Sequence, residues 1–230
     1  MKVSEQMWPH KCEACGKEWE TNDWNKPRPE FCGKDCEDKY NKKQREEQIK
    51  HRIKNIIPIK YQDIETDKQD LLLKSATKSL FITGDVGTGK TVFMASLAKE
   101  YIKQRKHVVW ISYSRFIMAL QNAYKNDVFY DSGYGGRSKR NPFDMAETKA
   151  MFQGYLFIDD LGAEKLTEYV RQITYYILNE REQNSLPTII TSNFSLDEIN
   201  NSIDRRISSR ICGMCEVLKF AGADKRLKKS

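Results

Sequence analysis

The stretch Gly84, Asp85, Val86, Gly87, Thr88, Gly89, Lys90 and Thr91 has the make-up of a phosphate seat. It fits G-x-x-x-x-G-K-[ST]. In that pattern backbone N–H groups wrap the phosphates, the lysine reaches the β- and γ-phosphates, and the hydroxyl ligates Mg²⁺. The glycines let the backbone approach an anion without side-chain clash. A helix starting at the lysine adds its N-terminal partial charge. An ordinary glycine-rich turn needs neither the Lys90-Thr91 pair nor the flanking pattern. Here Ser79-Leu80-Phe81-Ile82-Thr83 reads as a buried strand before the loop, and Val92 to Ala98 reads as a helix after it.

Three further groups end on polar residues. Tyr155-Leu156-Phe157-Ile158-Asp159-Asp160-Leu161-Gly162 is an apolar run closing on two acids. Asp159 is the candidate Mg²⁺ ligand, directly or through water, and Asp160 the candidate group to orient or deprotonate a water. The plainer alternative is a strand ending in solvated acids. Pro187-Thr188-Ile189-Ile190-Thr191-Ser192-Asn193 is a second such run, and the Asn193 amide suits a place between a γ-phosphate and the attacking water. An asparagine opening a turn at a strand end is the alternative. Asp204-Arg205-Arg206-Ile207-Ser208-Ser209-Arg210 offers three arginines that could stabilise phosphoryl charge from a neighbouring subunit, and spacing does not choose among them.

A different chemistry stands near the start. Cys12 and Cys15 are spaced C-x2-C, Cys32 and Cys36 C-x3-C, with sixteen residues between the pairs. Two short-spaced pairs make a closed tetrahedral Zn²⁺ site, which leaves no open position for catalysis. So small a module has little core and needs such a staple, with Trp8, Trp19, Trp24 and Phe31 expected around the metal. His10 is a bystander in this reading. Cys212 and Cys215 repeat the C-x-x-C spacing with no second pair nearby, and read as incidental.

The elements that must position these groups follow from periodicity. Short apolar runs at Leu80–Thr83, Val108–Ser112, Tyr155–Asp160, Thr188–Ser192 and Glu216–Phe220 alternate with helical patterns. That alternation predicts an α/β fold with a parallel sheet covered on both faces. Acids at the carboxyl ends of its strands would face the ligand crevice. Asp38 to Lys54, rich in Lys, Arg, Glu and Gln, reads as an exposed linker helix ended by Pro58. Residues 1–55 are therefore expected to form the cysteine module and linker, and 56–230 the nucleotide domain. The chain has 230 residues and a net charge of +7, which favours an anionic partner. No apolar run reaches the roughly 18–20 residues of a membrane span, and Met1 to His10 holds no leader, so a cytoplasmic protein without membrane contact is expected.

With these motifs in order, the chain resembles the DnaC/DnaI-type helicase loaders and their IstB-like relatives, a clade of AAA+ ATPases. GDVGTGKT at 84–91, LFIDDLG at 156–162, LPTIITSN at 186–193, RISSRI at 206–211 and GADKR at 222–226 carry the resemblance. It implies an AAA+ P-loop core with strand order 5-1-4-3-2, no C-terminal lid, and a small zinc-binding domain in front that grips a DnaB-type replicative helicase. It also implies Asn193 as sensor 1, Arg210 as the arginine finger through which subunits associate, and Arg226 as the sensor 2 arginine on the γ-phosphate. The implied cofactors are ATP, Mg²⁺ and Zn²⁺, and the implied task is delivery of the helicase onto single-stranded DNA. The stretch 127–142 departs from the family by its length and glycine content. Tyr130, Tyr134, Arg137, Lys139 and Arg140 there mix stacking and phosphate-pairing side chains, as single-strand binders do, and a mobile polar loop is the equal alternative. The alternatives are an IstB-like ATPase regulating a transposase on duplex DNA, a small-metabolite P-loop kinase, and a zinc adaptor that binds nucleotide without hydrolysis.

Overall fold

The computed structural model describes residues 8–21, 31–68, 71, 79–125, 129–131, 137–139, 142–162 and 167–224. Arg226, Trp24, Tyr134 and Arg140 lie outside the described residues. The chain divides into two compact units, Met1–Arg52 and Ile53–Ser230.

In the first unit β1 (Trp8–Lys11) and β2 (Glu18–Thr21) pair antiparallel, Lys11 opposite Glu18. Their turn closes through Cys12 N–H on Lys17 O at 2.9 Å and Gly16 N–H on Cys12 O at 2.8 Å. Helix α1 (Lys34–Ile56) starts earlier than its charge pattern suggested, because Cys36 and Glu37 N–H groups both close on Gly33 O. Asp35 and Glu37 in its first turn and Lys54 in its last match the helix dipole. It buries no residue, so core packing contributes little to it. Phe31 meets Tyr40 of this helix, ring centroids 5.0 Å apart.

The second unit is built on five parallel strands: β3 (Leu80–Gly84), β4 (Val108–Ser112), β7 (Tyr155–Leu161), β8 (Thr188–Ser192) and β9 (Glu216–Phe220). Their order is β4-β7-β8-β3-β9. Numbered along the domain and read from β9, that is the expected 5-1-4-3-2. Central strands β3 and β8 are buried on both faces, which is why they read as unbroken apolar runs. On one face Phe81, Leu156, Ile158 and Ile190 join the core formed with helices α3 (Tyr113–Lys125), α4 (Pro142–Ala150), α5 (Glu168–Gln183), α6 (Leu196–Ser202) and α7 (Arg205–Met214). On the other, α2 (Lys90–Lys103) sets Tyr101 against Phe157 at 6.0 Å and Phe93 against Phe220 at 5.3 Å. Between α3 and α4, β5 (Phe129–Asp131) and β6 (Arg137–Lys139) form a separate antiparallel hairpin. Tyr130, Arg137 and Lys139 stand on that hairpin.

Fully buried Arg181, near the end of α5, ties together the edge opposite the phosphate loop. Nε donates to Thr188 Oγ1 at 2.7 Å, Nη1 to Lys149 O at 3.1 Å and Phe152 O at 3.0 Å, and Nη2 to Gly154 O and Pro187 O at 2.7 Å each. The guanidinium thus saturates carbonyls at the end of α4 and at the entries to β7 and β8. No helix among the described residues is long and apolar enough to cross a membrane.

Candidate functional site

The phosphate loop leaves β3 at Gly84 and enters α2 at Lys90, with Gly89 as a left-handed N-cap at φ 94°. Glycine at position 87 suits the backbone and leaves room for a neighbouring carboxylate. Its φ is +78°, and a Cβ there would lie 1.9 Å from Asp224 Oδ1. Asp224 thereby stands against the loop. Thr88 Oγ1 braces the turn by donating to Asp85 O at 2.8 Å. The Lys90 ammonium is buried and donates to Gly84 O at 2.6 Å, Asp85 O at 2.8 Å and Asn193 Oδ1 at 2.8 Å. Three oxygens are therefore arranged around a cation at the place where the motif needs phosphate oxygens.

The two acids of β7 reach this point by a break in the strand. Consecutive strand residues point to opposite faces. Between Ile158 and Leu161 the β7–β8 register slips by one residue, and Asp160 takes φ 63°. Aspartate tolerates the left-handed region better than most residues, and a bulge of this kind re-aims a side chain. Both carboxylates now join one network. Asp159 Oδ1 accepts from Thr91 Oγ1 at 3.1 Å and Thr191 Oγ1 at 2.8 Å. Asp160 Oδ1 accepts from Asn193 Nδ2 at 2.8 Å. The Asp160 N–H donates to Thr191 Oγ1 at 2.9 Å. Ser192 Oγ on Leu161 O (2.8 Å) and Thr83 Oγ1 on Phe194 O (2.7 Å) lock the neighbouring strand ends.

Burial raises the Asp159 pKa above its ordinary 3.8. The Thr191 and Thr91 hydroxyls oppose that, the Asp160 charge adds to it, and Lys90 opposes it again. A divalent cation in this spot would relieve the same penalty. Neighbouring ligands of octahedral Mg²⁺ stand about 3 Å apart, given Mg–O distances of about 2.1 Å. The Thr91–Asp159 oxygen pair at 3.1 Å fits that spacing.

The fourth group is dispersed. Arg206 is tied to its own helix cap, with Nε and Nη2 on the Asp204 carboxylate at 3.1 and 2.7 Å, and lies 5.3 Å from the Tyr175 ring. Arg205 is exposed. Arg210 Nη1 donates to Glu182 Oε2 at 2.6 Å.

The sulfur atoms of Cys12, Cys15, Cys32 and Cys36 all lie within 4.8 Å of one another. Cys15 to Cys32 is 3.7 Å and Cys32 to Cys36 3.5 Å. A tetrahedral Zn²⁺ with bonds of about 2.3 Å sets its sulfurs about 3.8 Å apart, so the donor set fits that ion. Cys12 sits in the hairpin turn. Its burial works against a thiolate, yet backbone N–H groups of Cys32, Cys15 and Ala14 draw its pKa down to about 6. His10, Cys212 and Cys215 are not in the cluster.

Sequence reasoning named Lys90, Thr91, Asp159, Asp160 and Asn193, and the fold brings all five together. It missed Thr191, although a threonine directly before the strand-end Ser192-Asn193 was the available signal. The Glu182 contact with Arg210 has no local signal in the sequence.

The model of the IstB-like ATP binding protein family matches residues 70–230. The replicative helicase loader DnaI of Bacillus subtilis is 28% identical over 125 residues, 54% of this chain and 36% of DnaI. The replicative helicase loader DnaC of Escherichia coli is 23% identical over 133 residues, 58% of this chain and 49% of DnaC. The chain therefore spans between about a third and a half of these relatives' lengths. A crystal structure of DnaI superposes with a TM-score of 0.54 at 20% identity, covering 69% of this chain and 88% of that one, a likeness of fold. With its phosphate loop, paired acids and strand-end asparagine in one network, and its residues 70–230 matched by that model, the chain belongs to the family of IstB-like ATP binding proteins.

Proposed function

We propose that this chain hydrolyses ATP to control the loading of a DnaB-type replicative helicase onto single-stranded DNA. The observation that carries the ATPase reading is the unbroken chain Lys90–Asn193–Asp160, at 2.8 Å per link, from the phosphate seat to the candidate base. Lys90 exchanges its loop carbonyls for β- and γ-phosphate oxygens. Thr91 and Asp159 would hold Mg²⁺, which would supply charge neutralisation on the phosphates. Asp160 orients the attacking water and takes its proton, and Asn193 fixes that carboxylate against the γ-phosphate. Arg210 of one copy reaches ATP held by the next, and Arg226 serves as the sensor 2 arginine on the γ-phosphate. ATP thus favours the assembled, DNA-holding state, and hydrolysis resets it.

The loader part is supported by the names of the two curated relatives and by the four-cysteine unit, to which we assign zinc and the grip on the helicase. The β5–β6 hairpin, bearing Tyr130, Arg137 and Lys139, is the surface we assign to single-stranded DNA. Co-purification with a replicative helicase hexamer tests this, using the full chain and a version starting at Ile56. Capture by the full chain alone supports the loader. The family match favours a second reading, an IstB-like regulator of a transposase. No capture by either version, with preference for duplex DNA, selects that reading.

A further inference from the structure

Arg210 lies one turn before the end of α7, and its guanidinium is held. Nη1 meets Glu182 Oε2 at 2.6 Å, and the two side chains are 34% and 24% exposed. The Tyr175 ring flanks it, with 6.0 Å between guanidinium carbon and ring centroid. Nε is buried with no hydrogen-bond partner among the described residues. Two residues around this contact are locally unfavourable. Glu182 stands in the last turn of α5, where the helix dipole disfavours negative charge. Gly213 stands in the last turn of α7, where glycine still has a lower helix propensity than alanine. A Cβ at Gly213 would come 2.2 Å from Glu182 Oε1. One placement accounts for both: the glycine leaves room for a carboxylate, and the carboxylate is set there against Arg210.

We propose that Glu182 is a positioning residue for Arg210, and that it holds the guanidinium as an ion pair on its own chain until a phosphate presented by a second copy displaces it. This rests on the reading of Arg210 as a finger acting between copies. Paired, Arg210 offers a neighbour little net charge. A nucleoside triphosphate carries more negative charge than one carboxylate and takes the guanidinium over. Copies holding ATP are therefore joined in preference to empty ones.

The test is phosphate release by the full chain, titrated in protein concentration with ATP and Mg²⁺ saturating. Glu182→Gln removes the carboxylate charge. Gly213→Ala keeps it but pushes it aside, and improves helix propensity, so it remains informative if the first variant folds poorly. Both variants should lower the concentration for half-maximal turnover about three- to tenfold, the range expected for a partly exposed, charge-assisted pair. Binding of a fluorescent ATP analogue to the dilute chain should not change. The gain should vanish in an Arg210→Ala background. If Arg210→Ala suppresses turnover but neither variant lowers the midpoint, Glu182 is not a latch and the finger reading stands. If Arg210→Ala leaves the titration unchanged, the finger reading fails and the proposal falls with it. A variant that shifts only the melting temperature marks Glu182 as purely structural and also overturns the proposal.

Discussion

Replacing Thr191 by valine removes one hydroxyl from a position that is 1% exposed and keeps the side chain's shape. Two hydrogen bonds go with it. Thr191 Oγ1 donates to Asp159 Oδ1 at 2.8 Å and accepts from the Asp160 N–H at 2.9 Å. A bond to a charged acceptor is worth about 1.5–3 kcal/mol, and a buried donor left unpaired costs about 1–3 kcal/mol. The Asp160 amide is only partly buried, and valine's extra apolar burial returns some of the loss. A net cost of about 2 kcal/mol remains, or about 4–8 °C in Tm for a unit of this size. The functional loss should be larger than the loss of stability. Without the Thr191 hydroxyl the Asp160 N–H at the left-handed turn loses its acceptor, and Asp159 loses one of the groups that hold its pKa down. Turnover should fall by roughly tenfold or more through misplacement alone. ATP affinity should hold, because every Lys90 contact stays. Thermal unfolding without nucleotide, and phosphate release with saturating ATP and Mg²⁺, measure the two effects. Thr191→Ser restores the hydroxyl and should recover both. Wild-type Tm and turnover in the valine variant, or a serine variant as poor as valine, would refute this account of the bulge.

Asp159→Asn should separate stability from function. A carboxyl that holds its proton more tightly folded than unfolded loses stability as pH rises from 3.8 through its raised folded pKa. The asparagine variant should therefore melt above wild type near about pH 7 without nucleotide, the gap closing toward about pH 4, while Mg²⁺-dependent turnover disappears. Arg181→Lys leaves most of the buried carbonyls around it unpaired and should cost about 3 kcal/mol in denaturant unfolding, with ATP affinity unchanged at the far edge of the sheet. The purified chain should release about one Zn²⁺ to a chromogenic chelator on denaturation, and the Cys32→Ser/Cys36→Ser variant none. Chelation should unfold Met1–Arg52 while nucleotide binding by Ile53–Ser230 persists.

Strand placement was largely legible in the chain. The five runs fall within a residue of the five strands. For central β3 and β8 the reason is burial on both faces, whereas edge strand β9 is mostly exposed. The start of α1 was less so, since the first turn is closed by the Gly33 carbonyl rather than by a charge pattern. The β5–β6 hairpin was not foreseen either. Its strands are three residues long, too short for an alternation to register.

Chemistry that acts within a few residues can be read from the chain alone: a phosphate loop, acids and an amide closing apolar runs, and cysteines close enough to bite one ion. Such groups need only their neighbours to be recognisable. How groups distant in the chain face one another depends on the packed fold. Asp160 is re-aimed beside Asp159 by a register slip against β8, which no property of β7 alone specifies. Asn193 bridges Lys90 and Asp160 because β8 lies between β3 and β7 in the sheet. Arg210, alike on paper to Arg205 and Arg206, is singled out by a glutamate 28 positions earlier that α5 packing places against α7. In a parallel sheet every neighbouring strand is reached through a crossover, so the contacts that tune the site join residues far apart in the sequence.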